Sequence, residues 1–156
     1  MKTSLLAAVA TLGIIFQNVL EIHGWIFYLT FTAYLLLVKD KGDAIKLTCS
    51  FLLGIVLSVL IWEMTGLFMI WTGSLGIGMS IAAFAGILVV LYLKRFKPLN
   101  MSPAFFYGLI AYYGVAQPPS WNIIAQVIVP ALIGIVVAYL YVALERLLEK
   151  DHSSVG

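Results

Sequence analysis

Two carboxylates, an imidazole and four amides stand in or at the ends of otherwise apolar stretches: Glu21, Glu63, His23, Gln17, Asn18, Asn122 and Gln126. Polar groups are costly in hydrocarbon, and a chain that keeps them uses them to pack helices, line a path or bind something. Carboxylates and amides without basic neighbours suit a vestibule for a cation, an amine or a neutral hydrogen-bonding solute, and repel an anion. The plainer alternative is that Glu21, His23 and Glu63 sit at the headgroup level and meet water. Tyr34 and Tyr112 lie deeper in their stretches, and a buried phenol needs a hydrogen-bond partner. Facing each other, they would form a constriction or a solute-binding pair, with Tyr107 and Tyr113 adding aromatic lining. Otherwise they pack the core, or join Trp25, Trp62, Trp71 and Trp121 in the aromatic belts of a membrane protein.

These residues do not assemble into an enzyme. The two histidines, His23 and His152, fall on opposite sides of the six-segment topology set out below, and no HExxH or Ser-His-Asp set can be built. The glycines of TLGIIF and GSLGIG read as packing or turn positions rather than phosphate loops, because no strand precedes them and no lysine follows. A single cysteine, Cys49, excludes an intrachain disulfide or a Cys-ligated metal site. No metal or cofactor is expected, and no basic run with interleaved aromatics points to nucleic acid.

The elements that position these groups follow from composition. Of 156 residues, 63% are hydrophobic and 10% charged, and the mean hydropathy is +1.07. That is more apolar side chain than a soluble domain of this size can bury, so the chain is read as an integral membrane protein in contact with the lipid bilayer. A bilayer core of about 30 Å needs about 20 helical residues. On that measure six apolar segments are expected, near Ser4–Ile22, Trp25–Val38, Ala44–Trp62 or beyond, Ser74–Leu93, Pro103–Ala116 and Trp121–Leu144. The start, MKTSLLAAVATLGIIF, is read as a first transmembrane helix rather than a signal peptide, since the apolar run continues to Leu20 without a convincing cleavage site. Breaks are expected at Gly24, at Lys41-Gly42-Asp43 with Asp43 as N-cap, at the Ser102 cap before Pro103, and at Gln117-Pro118-Pro119-Ser120.

Six crossings put Lys2, Lys39, Lys41, Lys46, Lys94, Arg95, Lys97, Arg146 and Lys150, which are all nine basic residues, on one side. By the positive-inside rule both termini are then cytoplasmic. The second and fifth segments, about 21 Å each, fall short of a full span unless they lie sheltered among the others. ERLLEKDHSSVG at the end reads as a helix leaving the membrane, with residues 151–156 as a cytoplasmic tail.

The chain also repeats itself. LLGIVLSVL (Leu52–Leu60) matches LIGIVVAYL (Leu132–Leu140), FYLTFTAY (Phe27–Tyr34) matches FFYGLIAY (Phe105–Tyr112), and AAVA (Ala7–Ala10) matches AAFA (Ala82–Ala85), all in the same order. Each half has three segments, so the second is expected upside down relative to the first: two inverted three-helix repeats, about 4–66 and 74–147, within one transmembrane domain, 1–150. Small residues at i, i+4 and i+8 let helix backbones approach closely. Ser50, Gly54 and Ser58, with Pro130, Gly134 and Ala138, are expected to join the halves, third segment to sixth. Gly78, Ala82 and Gly86 would serve the same fold or bind a neighbouring subunit.

WIFYLTFTAYLLL before a charged loop, then LLGIVLSVLIW, and SPAFFYGLIAYYGVAQPPSW leading into LIGIVVAYL, together resemble the bacterial inner-membrane family catalogued as domain of unknown function 1097. The likeness covers about Leu5 to Leu147 and rests on segment order, the Ala-Tyr of the second segment and Pro103 to Gly108. It implies a small polytopic membrane protein and no activity. The functional expectation is a homo-oligomeric channel or transporter for a small solute. The alternative is a non-transporting scaffold or accessory subunit that binds other transmembrane helices.

Overall fold

The computed structural model describes residues 2–20, 23–97 and 99–153, and all regular structure among them is helical. Six helices follow in order: α1 (Lys2–Leu20), α2 (Gly24–Leu37), α3 (Lys41–Thr72), α4 (Leu75–Leu93), α5 (Ser102–Tyr113) and α6 (Trp121–Ser153). Of the described residues, α3, α4 and α6 form helices long and apolar enough to cross a membrane. The chain is a helical membrane protein. At 1.5 Å per residue α2 and α5, with 14 and 12 residues, reach only about 21 and 18 Å.

Helix boundaries differ from expectation where a short polar side chain was assigned to the wrong turn. α3 starts earlier than its apolar run. Asp40, not Asp43, is the N-cap, and its carboxylate accepts the Asp43 amide N–H at 2.9 Å. Gly42 therefore lies inside the first turn and does not stop anything. Asp43 instead accepts from the Lys46 ammonium at 2.8 Å. α3 also runs past Trp62 to Thr72, where Gly73 adopts a left-handed φ of 67° and donates its N–H to the Met69 carbonyl. Ser102 is the first helical residue of α5 rather than its cap, with Met101 in the cap position and no side-chain bond. Ser120 does cap α6: its hydroxyl accepts from the Ile123 N–H at 3.3 Å. α6 continues as helix through the polar end of the chain to Ser153.

The chain divides into two compact units, one made of the residues up to Leu37 and from Gln126 on, the other of Val38–Ala125. In the second unit α3 packs against both α4 and α5. α4 lies antiparallel to α3 along a small-residue seam: Gly78 sits against the backbone of Thr65, Phe68 and Met69, and Gly86 against the Ile61 side chain. Ala82 between them is fully buried. This stripe therefore serves the fold of the unit. The α3/α5 crossing is closer still. A Cβ on Gly54 would strike the Phe105 carbonyl oxygen, and one on Gly108 would strike that of Phe51 and stand 3.0 Å from the Gly54 Cα. Ser50 and Ser58 are buried beside it. The Ser58 hydroxyl donates to the Gly54 carbonyl at 2.9 Å.

In the first unit α1 packs on α2 through Gly13, which faces the rings of Phe27 and Tyr28. α6 meets α2 where Gly134 abuts the Thr30 hydroxyl and the Phe27 carbonyl. Pro130 and Ala138 are buried on the same face of α6. Further along, Phe31 meets Tyr141 edge to face at 5.9 Å, and Tyr34 lies within electrostatic reach of Tyr139 and Arg146. Residue numbers rise together along both helices, so α2 and α6 run in the same direction. Gly54 and Gly134 were expected against each other's helix. The atoms that close on them belong to the short helices, α5 and α2.

Candidate functional site

The second unit holds the group of polar side chains that packing leaves unanswered. α5 ends in the pair Tyr112-Tyr113, presented one turn beyond the Gly54/Gly108 crossing because two glycines let α5 approach α3 at backbone distance. Tyr112 is 1% exposed. Tyr113 packs against the cluster of Leu57, Ile61, Ala82, Val90 and Phe105, in the seam of all three helices. Their rings are perpendicular, with centroids 6.3 Å apart. Neither hydroxyl has a hydrogen-bond partner among the described residues, although both oxygens are buried. Buried phenols nearly always find a partner, and an orphan costs about 1–3 kcal/mol. In lipid no bulk water is at hand to supply one.

Glu63, on the exposed side of α3, lies within electrostatic reach of Tyr112. It stands 17 residues beyond Lys46, roughly 26 Å along the helix. The lysine-rich end of this unit is therefore a membrane thickness away. No ion pair reaches Glu63 among the described residues. Asn122, at the start of α6, is exposed in the same unit.

The other expected site residues belong to the first unit. Tyr34 is buried and lies within electrostatic reach of Arg146. Asn18 is exposed and Gln126 partly buried. His23 joins α1 to α2: its carbonyl accepts the Ile26 N–H at 2.9 Å, while its Nε2 is buried with no partner among the described residues. Glu21 and the side chain of Gln17 lie outside the described residues, as do residues 154–156 of the tail. Sequence reasoning ranked Tyr113 below Tyr112 because only Tyr112 has a repeat counterpart. No signal along the chain finds Tyr113, because its unbonded hydroxyl follows from tertiary packing. The Ser50 hydroxyl, expected only to pack, is also buried without a partner. Among the described residues no group of His, Cys, Asp and Glu is placed to hold a metal.

Neither the curated proteins nor the solved structures contain a match to this chain. Residues 1–145 match the family described as "Protein of unknown function (DUF1097)", and the chain, a polytopic helical protein over that whole length, belongs to this family.

Proposed function

We propose that this chain is a six-span bacterial inner-membrane protein, with both ends in the cytoplasm, that passes a small polar solute through the membrane without chemical change. Two inverted three-helix repeats, assembled as homo-oligomers, provide the frame. What supports the repeat is the correspondence of the two closest crossings. The internal match pairs Phe27 with Phe105, Thr30 with Gly108 and Gly54 with Gly134. Gly134 meets Phe27 and Thr30 on α2, and Gly54 meets Phe105 and Gly108 on α5. On this reading the halves exchange their third helices, α6 completing α1–α2 and α3 completing α4–α5. The parallel course of α2 and α6 agrees with all intervening helices crossing the membrane.

The observation that carries the function is the pair of buried, unpartnered hydroxyls of Tyr112 and Tyr113. A purely structural unit gains by replacing them with phenylalanine, whereas a path needs polar groups left free for its solute. The scaffold alternative calls for small residues on the outer face. Here Gly54, Gly78, Ala82, Gly86 and Gly134 are turned inward, while the exposed small residues Gly66, Gly76 and Ser80 stand among larger apolar side chains such as Ile77, Ile81 and Phe84. Flux into proteoliposomes tests the reading, with ammonium, methylammonium, urea and a weak acid as solutes. Wild-type protein is expected to pass at least one, and Tyr112→Phe/Tyr113→Phe to lower that flux tenfold or more. Absence of flux for all four, or equal flux through the variant, would overturn it.

A further inference from the structure

α4 has 19 residues and no charge among them, about 28 Å of helix. That length nearly fills a hydrocarbon core of about 30 Å, so the chain leaving its C-terminus emerges at the level of the lipid phosphates. The residues that emerge are Lys94, Arg95, Phe96 and Lys97, all exposed. The N–H groups of Lys94 and Phe96 donate to the Val90 and Leu93 carbonyls at 3.0 Å each, and that of Arg95 to the Tyr92 carbonyl at 3.2 Å. Three cations therefore leave the backbone from one tight turn. The Arg95 guanidinium carbon stands over the Tyr92 ring, 5.9 Å from its centroid, and Tyr92 meets Phe96 edge to face at 5.6 Å. A guanidinium held on a ring face keeps its N–H edge free for a phosphate. From Tyr92 back along the helix, Leu88, Phe84 and Ile81 follow at helical spacing, and all three are exposed.

Cations at a helix C-terminus often serve the last carbonyls of their own helix. Here the carbonyls of Val90, Tyr92 and Leu93 already accept backbone N–H groups. Among the described residues the side chains of Lys94, Arg95 and Lys97 make no hydrogen bond and no ion pair. No Asp or Glu occurs between Glu63 and Glu145. The anion that answers these cations comes from outside the chain, and the apolar stripe below them says which kind. A soluble anion has no use for Ile81, Phe84 and Leu88, whereas a phospholipid lays an acyl chain along them and brings its phosphate to the turn. A zwitterionic headgroup carries its own cation beside that phosphate, and an anionic one does not. We propose that the turn after α4 binds an anionic phospholipid, its phosphate held by Lys94, Arg95 and Lys97 and its acyl chain on the exposed face of α4. The site requires a membrane protein and is independent of whether the chain transports a solute.

Native mass spectrometry of the full chain released from detergent micelles tests this, with phosphatidylglycerol, phosphatidylcholine and glycerol 3-phosphate offered at equal concentration. Each basic residue near anionic headgroups is worth about fivefold in binding. Wild-type protein is accordingly expected to retain phosphatidylglycerol about tenfold more tightly than phosphatidylcholine, and to retain no glycerol 3-phosphate. Lys94→Gln/Arg95→Gln/Lys97→Gln should bring the two lipids within about twofold of each other. Lys39→Gln/Lys41→Gln, exposed at the start of α3, should leave the preference intact. Tyr92→Leu, which keeps every charge and removes the ring under Arg95, should weaken phosphatidylglycerol binding about threefold. These side chains are exposed, and an unchanged helical circular dichroism spectrum is expected for each variant. Equal retention of the two lipids by wild type overturns the proposal. An equal loss in the Lys39→Gln/Lys41→Gln variant overturns the site by reducing it to general charge attraction. Glycerol 3-phosphate retained as tightly as phosphatidylglycerol overturns the lipid assignment in favour of a free phosphate.

Discussion

The two closest helix crossings solve one problem with different atoms. In the Val38–Ala125 unit, glycine meets glycine: Gly54 and Gly108 bring α3 and α5 together backbone to backbone. In the other unit Gly134 meets Thr30, whose hydroxyl donates to the carbonyls of Ile26 and Phe27 at 3.0 and 3.1 Å. One turn further on, the difference becomes chemical. Tyr112 has a buried, unbonded hydroxyl next in sequence to a second one and lies within electrostatic reach of Glu63, whereas Tyr34 lies within reach of Tyr139 and Arg146. The same kind of close crossing thus stands beside unbonded tyrosine hydroxyls in one unit and beside a tyrosine near a cation in the other.

Adding one methyl group at each crossing is the most severe way to break this comparison. Gly54→Ala and Gly108→Ala push a Cβ into a carbonyl oxygen of the facing helix, which cannot rotate away. Each is expected to cost about 3 kcal/mol, the upper end for overpacking, read from unfolding in mixed micelles. Gly134→Ala should cost about 2 kcal/mol, since part of what it strikes is the Thr30 side chain. Adding Thr30→Ala should recover about 1 kcal/mol of that, and no side-chain truncation should rescue Gly54→Ala. Equal costs and no rescue would mean that the two joints are not distinct.

The tyrosines give the next largest effect, with opposite signs for stability and function. Tyr112→Phe and Tyr113→Phe each remove a buried orphan hydroxyl and should stabilise the protein by about 1–2 kcal/mol while reducing solute flux. Tyr34→Phe serves as the control in the other unit, with flux expected to stay within twofold of wild type. A loss of stability in Tyr112→Phe would show that its hydroxyl has a structural partner, and a loss of flux in Tyr34→Phe would make the two tyrosines functionally alike.

Much of this frame is legible in the sequence, because hydrophobic length fixes helices in a membrane more firmly than propensity does in water. Six segments emerge near their observed places, and the nonamer pair marks real close approaches. What periodicity cannot specify is the partner, since a small-residue stripe is complementary to any other helix backbone. Gly54 was therefore matched to the sixth segment, whereas the atoms that close on it belong to α5. The alignment of α1 with α4 through AAVA and AAFA also slips: burial turns Val9 and Gly13 inward in α1, and Ala82 and Gly86 in α4. That equivalence is two residues from the one suggested by alanine identity, because Ala7 and Ala8 are exposed in α1 whereas Ala82 is buried in α4. At the site, residue type pointed to Tyr112 and Glu63. Which of several buried hydroxyls would be left without an acceptor depends on tertiary packing and has no signature along the chain.

The smallest expected effect concerns the caps, and it separates the units by where it is felt. Asp40 holds the first turn of α3 through the Asp43 amide, whereas Ser102 has no capping bond in α5. Asp40→Ala should cost about 1 kcal/mol, and Ser102→Ala should fall within about 0.5 kcal/mol of wild type. Hydrogen exchange then locates the loss. Asp40→Ala should speed exchange in the first turns of α3 and leave the amides around Gly134 in α6 unchanged, because α3 packs with α4 and α5 while Gly134 packs with α2. Faster exchange at both crossings would show that the units unfold as one body, and the contrast between the Gly54/Gly108 and Gly134/Thr30 crossings would then have to arise within a single cooperative fold.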